Sequence, residues 1–123
     1  MGLLDSILGK NKGEKQEGNV VKWIPLTAVS QLDNIVEVSK TNKAIIFKHS
    51  TRCSISASVL NKFEKKIGEG YQLYFLDLIN HRDVSNAIAE QFNIVHESPQ
   101  AILLENGKVS QQASHYEILE LDL

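Results

Sequence analysis

Apolar and polar positions along this chain switch between two periods, and the switches outline a series of alternating elements. Val20-Val21-Lys22-Trp23-Ile24 is an apolar-rich run that reads as a strand, and Pro25 marks its end. Thr27 is a candidate N-cap for a helix in which Leu32, Ile35 and Val36 recur at helical spacing through to Lys40. Ala44-Ile45-Ile46-Phe47-Lys48 is nearly all apolar, as expected of a strand covered on both faces. A second helix is predicted from Thr51–Cys53, with Val59, Leu60, Phe63 and Ile67 on one face and Gly68 and Gly70 ending it. Tyr71–Asp77 reads as a strand. Asp83 is a plausible cap for a helix carrying Val84, Ile88 and Phe92 four apart, with Asn93 near its C-terminus.

The rest of the chain differs in kind. Gln100–Glu105 is a strand, Asn106-Gly107 tolerates the positive φ values of a tight hairpin turn, and Lys108–Gln112 returns antiparallel. A β-α-β-α-β-α beginning followed by a hairpin requires a mixed sheet. Ser114-His115-Tyr116-Glu117 fits a capping box opening a terminal helix with Ile118, Leu119 and Leu121. The expected fold is therefore α/β, with a mixed four- to five-stranded central sheet flanked by helices, in one domain over residues 19–123. Residues 1–18 stand apart, because Gly9–Gly18 is rich in glycine and charge and cannot bury a core; they read as a flexible N-terminal tether.

Composition narrows the function classes. With 123 residues, 42% of them hydrophobic, the chain suits a single core. Its net charge of −2 is spread among scattered residues, so nucleic acid is not an expected partner. No apolar run approaches the ~20 residues of a membrane span, and no secretory signal is visible. The single cysteine, Cys53, cannot form an internal disulfide or build a Cys-rich zinc site. The expectation is a monomer in the reducing cytoplasm, with no membrane partner, no metal and no permanently bound cofactor.

Cys53 falls at the turn between a buried strand and a helix, where free backbone amides and the helix dipole favour a thiolate. Lys48, His49 and Arg52 add donors and positive charge nearby, and the alternative is a thiol that merely fills core space. Ser56 stands three residues on, where a dithiol oxidoreductase has its second cysteine. A hydroxyl cannot resolve a mixed disulfide, but it can hydrogen-bond a thiolate, or equally the backbone. His49, His96 and His115 lack the spacing of a metal site and have no assignable orienting acid for a hydrolytic dyad. His49 can support the thiolate by charge when protonated.

The stretch from Phe92 to Val109, with His96-Glu97-Ser98-Pro99-Gln100 at its centre, resembles the C-terminal half of thioredoxin-fold proteins. That resemblance implies that Pro99 is cis and faces the cysteine, and that the backbone of Ser98 bonds a bound thiol compound. Together with Phe47-Lys48-His49-Ser50-Thr51-Arg52-Cys53-Ser54-Ile55-Ser56 and Ser114-His115-Tyr116, it resembles the monothiol bacilliredoxins of the YtxJ-like family, over roughly residues 20–121. Ser54 and Tyr116 depart from the Pro and Trp often found there. The resemblance implies a thioredoxin-like thiol-disulfide oxidoreductase that removes bacillithiol, a sugar-linked cysteine thiol bearing a malate, from bacillithiolated proteins. Bacillithiol is then the thiol co-substrate, a downstream reductase a further partner, and Lys48 and Arg52 candidates for a basic wall facing the malate. The alternatives are a glutaredoxin-type protein using another small thiol, and a redox-inactive thioredoxin-like adaptor or thiol sensor.

Overall fold

In the computed structural model, which describes residues 21–123, the chain runs β1 (Ile24–Pro25), α1 (Gln31–Val38), β2 (Lys43–His49), α2 (Ser54–Lys66), β3 (Tyr71–Asp77), α3 (Arg82–Phe92), β4 (Gln100–Glu105) and β5 (Lys108–Ser114), closing with a 3₁₀ helix at His115–Glu120. The tether expected at residues 1–18 lies outside the described residues. The strands form one sheet in the order β1-β3-β2-β4-β5. β1, β3 and β2 are parallel, while β4 and β5 are antiparallel additions, so the expected mixed sheet is present with five strands.

β2 is central, and its side chains alternate between two cores. Ala44 and Ile46 pack with Leu32 and Ile35 of α1 and Val84 and Ile88 of α3. Ile45 and Phe47 pack with Val59 and Phe63 of α2 and with Ile118 of the 3₁₀ helix. Both faces are thus covered, which explains why β2 reads as a continuous apolar run rather than an alternating one.

Several element ends differ from the expected ones. The first strand pairs only through Ile24 and Pro25, on the sheet edge where a residue without an N–H is tolerated. Helix α1 starts at Gln31 rather than beside Thr27, because the amides of Gln31 and Leu32 reach back only three residues, to Ala28 O (3.1 Å) and Val29 O (3.0 Å), before α-helical bonding begins; the Gln31 side-chain oxygen accepts from the amides of Thr27 (2.8 Å) and Ala28 (2.9 Å). Asp83 is not the cap of α3. His81 flanks that helix, and Asp83 lies in its first turn, where its charge complements the helix dipole.

The capping box at Ser114 does not form. Ser114 is still paired to Gln100 in extended conformation, and His115 turns the chain with φ of 58°, so the first turn lacks the helical geometry a reciprocal cap requires; a 3₁₀ helix follows. The hairpin turn and the helix end match expectation, with Asn106, Gly107 and Asn93 all at positive φ.

Candidate active site

The end of β2 distributes its polar residues by strand parity. Lys48 shares a face with Ala44 and Ile46 and points toward α1 and α3, whereas His49 follows Ile45 and Phe47 onto the α2 side. The chain then turns through Ser50-Thr51-Arg52. The amide of Arg52 donates to Ser50 Oγ at 3.3 Å, and the amide of Cys53 to Ser50 O at 3.2 Å. Cys53 is the residue that precedes α2, in extended conformation, and its thiol is free, half-buried and makes no side-chain cap bond. The expected strand-to-helix setting of the cysteine is therefore present.

Ser56 is fully buried, and its hydroxyl is committed away from the thiol. Its Oγ lies 2.7 Å from His49 Nδ1 and accepts from the amide of Ser50 at 3.3 Å. The expected Ser56–thiolate bond is thus replaced by an anchor between α2 and the end of β2. Burial pushes the pKa of His49 down, against a smaller upward pull from Asp77, its register partner on β3. A lowered pKa works against the charge support expected of His49. Asp77 was not singled out from the sequence, because only the β2–β3 register reveals that it faces His49.

Lys48 also departs from expectation. It is fully buried, so it forms no part of a basic wall open to solvent, and burial lowers its pKa to about 8. Its Nζ donates to Nδ1 of His96 at 3.2 Å, and Ser85 Oγ lies 3.0 Å from the same nitrogen. Arg52 is exposed, and its guanidinium forms no ion pair among the described residues.

The Ser98–Pro99 peptide bond is cis. Antiparallel pairing of Lys48 with Gln100 brings the mouth of β4, and hence Pro99, beside the end of β2 that leads into the Cys53 turn. Three hydrogen bonds fix this loop. The Gln100 side-chain amide donates to Val95 O at 3.0 Å and to Gln112 Oε1 at 3.1 Å, and Pro99 O accepts from the amide of His115 at 3.0 Å. His115 Nδ1 also lies 3.4 Å from Glu97 Oε1. Val95 and Tyr116 are exposed large hydrophobic residues on the segments so joined. Among the described residues, no three His, Cys, Asp or Glu side chains are grouped to hold a metal ion, and no helix is long and apolar enough to cross a membrane.

A family profile described as Monothiol bacilliredoxin BrxC matches residues 24–123. Among solved structures, a candidate oxidoreductase with a thioredoxin fold is 32% identical, covering 79% of this chain and 87% of its own, with a TM-score of 0.70. A thioredoxin of Malassezia sympodialis matches at 16% identity and a TM-score of 0.63, over 80% of this chain and 84% of its own. A thioredoxin of Trypanosoma brucei brucei matches at 16% identity and a TM-score of 0.63, over 79% and 81%. These two thioredoxins share the fold.

Proposed function

The chain belongs to the monothiol bacilliredoxin family, and from that membership we propose that Cys53 removes bacillithiol from protein mixed disulfides by thiol–disulfide exchange. The observation that carries this reading is the placing of a free, half-buried thiol before α2, at the end of β2 that pairs with the mouth of β4 after Ser98 and Pro99.

The Cys53 thiolate attacks the bacillithiol sulfur of the mixed disulfide. The protein thiolate leaves and takes up a proton, and a Cys53–bacillithiol disulfide remains. Because this chain has no second cysteine, a second bacillithiol thiolate must attack the bacillithiol sulfur of that adduct, releasing bacillithiol disulfide and regenerating Cys53. Neither step changes the number of disulfides, so no electron acceptor or metal is required. The released disulfide is the substrate of a downstream reductase, and a cycle that restores free thiols belongs in a reducing compartment, the cytoplasm.

In this reading the backbone of Ser98 aligns the incoming disulfide, and the exposed guanidinium of Arg52, without an ion pair among the described residues, is a cation for the malate. A helix start presents amides and a dipole that stabilise a thiolate, whether attacking or leaving.

The test is to mix the reduced protein with a model protein carrying bacillithiol and, in parallel, with a glutathionylated one, following the mass of the Cys53 peptide. Accumulation of a bacillithiol adduct with release of the model thiol is the expected result, and Cys53→Ser should abolish it. Preferential glutathione transfer would point to a glutaredoxin-type protein. No adduct from either donor would favour an adaptor or thiol sensor.

A further inference from the structure

The contact between Lys48 and His96 has no part in that exchange chemistry. Lys48 is fully buried, and its ammonium meets a ring nitrogen rather than a carboxylate. Ser85, fully buried in the first turn of α3, approaches the same nitrogen. An ammonium has donors and no acceptor, so Nδ1 must accept and the imidazole proton resides on Nε2. Desolvation of the ring edge that meets the buried Lys48, together with the charges of Lys48 and Arg82, pushes the pKa of His96 down, with Glu97 opposing them. A buried ammonium with such a partner adds little stability, since its desolvation is poorly compensated. What the contact does is decide which nitrogen of His96 carries the proton.

His96 itself is exposed and stands two residues before Ser98, on the loop that Gln100 and His115 tie down. A free histidine would exchange tautomers and flip its ring. With one nitrogen engaged from behind, the other becomes a fixed donor, much as an outer hydrogen bond orients a metal-bound histidine. The charges around it favour an anion. Lys48 and Arg82 are positive, and outweigh the single opposing carboxylate, Glu97, in their effect on the ring.

We propose that His96 is a specificity-determining residue for the small thiol, its Nε2–H donating to a carboxylate of the compound held at Ser98, with Lys48 and Ser85 as positioning residues. This rests on the exchange reading above.

The test compares two mixed disulfides of one model protein, one with bacillithiol and one with the uncharged 2-mercaptoethanol, for the wild type and for His96→Ala, His96→Gln and Lys48→Met. His96→Ala should raise KM for the bacillithiol donor about tenfold, the scale of a charge-assisted hydrogen bond, with little change in kcat and none for the uncharged donor. His96→Gln, whose amide sets an N–H near the position of Nε2, should recover most of the loss. Lys48→Met should raise KM several-fold. In ¹⁵N spectra, wild-type His96 should show the Nε2-protonated tautomer, and Lys48→Met a mixture.

Equal KM ratios in wild type and His96→Ala, or a His96 protonated at Nδ1, would overturn the proposal while leaving exchange intact. A wild type that accepts the uncharged donor but not bacillithiol would overturn the bacillithiol reading and the ligand assigned to His96 together. The nitrogen spectrum tests the positioning by Lys48 independently of turnover.

Discussion

Ser56 Oγ and His49 Nδ1 lie 2.7 Å apart and join the first turn of α2 to the end of β2. Because Ser56 also accepts from the Ser50 amide, one buried hydroxyl holds both sides of the turn that presents Cys53. Ser56→Ala would leave a buried amide and a ring nitrogen without that partner, and should lower stability by about 1–3 kcal/mol, read as a lower midpoint in urea denaturation. An unchanged midpoint would show that the pair is not an anchor.

Residue 56 is also where a resolving cysteine would stand. Cys53 flanks the helix and Ser56 lies in its first turn, the three-residue spacing at which a dithiol oxidoreductase carries its disulfide. Ser56→Cys should therefore oxidise internally, seen as the loss of two hydrogens in the intact mass and of both alkylatable thiols. A persistent pair of free thiols under mild oxidant would contradict this.

Acid should destabilise the fold through its histidines. Burial depresses the pKa values of both His49 and His96 below the ordinary 6.5. On acidification the unfolded chain takes up these protons first, so the stability each neutral ring contributes is present above about pH 6.5 and is lost as pH falls through its native pKa. Urea midpoints should drop between pH 7.5 and 5, and His49→Asn and His96→Gln should each flatten the slope. A slope unaltered in both would refute the assignment.

Lys48 behaves in the same sense at higher pH. Its native pKa of about 8, against 10.5 for a free lysine, means the folded state loses the proton first as pH rises. Wild-type stability should therefore improve relative to Lys48→Met between pH 8 and 10.5. At pH 7 the methionine variant, which fills similar space without a charge, should be at least as stable as the wild type. Calorimetry of the two proteins at pH 7 and 9.5 checks both, and a strongly destabilised Lys48→Met would contradict the cost assigned to the buried charge.

Gly107 sits at φ of 79° in the β4–β5 turn, and a Cβ there would lie 3.4 Å from Val36 Cγ1. Its amide donates to Ser39 Oγ at 2.8 Å, tying the hairpin to the end of α1. Gly107→Ala should cost about 1 kcal/mol or more through the left-handed conformation, visible as a lower melting temperature.

The order of helices and strands, the hairpin at Asn106-Gly107 and the left-handed end of α3 at Asn93 were legible in the chain because they depend on local chemistry. Periodicity reports which face of an element is apolar, and only a few residues tolerate positive φ. Where local rules misled, a competing partner explains it. The amides of Gln31 and Leu32 close tight turns onto Ala28 and Val29 ahead of the helix, and the pairing of Ser114 with Gln100 holds the would-be cap extended.

Cys53 and the Ser98-Pro99 pair could be picked out as candidates for the same reason, since one marks a strand-to-helix turn and the other the mouth of a strand. The partners of the polar residues between them could not. Lys48 and His49 are adjacent, and both read as basic residues near a thiol, yet strand parity sends one to His96 and Ser85 and the other to Ser56 and Asp77. Local sequence specifies that a side chain can donate, accept or carry charge. Register and burial, which bring together residues 48 positions apart, specify whether it meets water, a thiol or a second ring nitrogen, and so whether its charge survives.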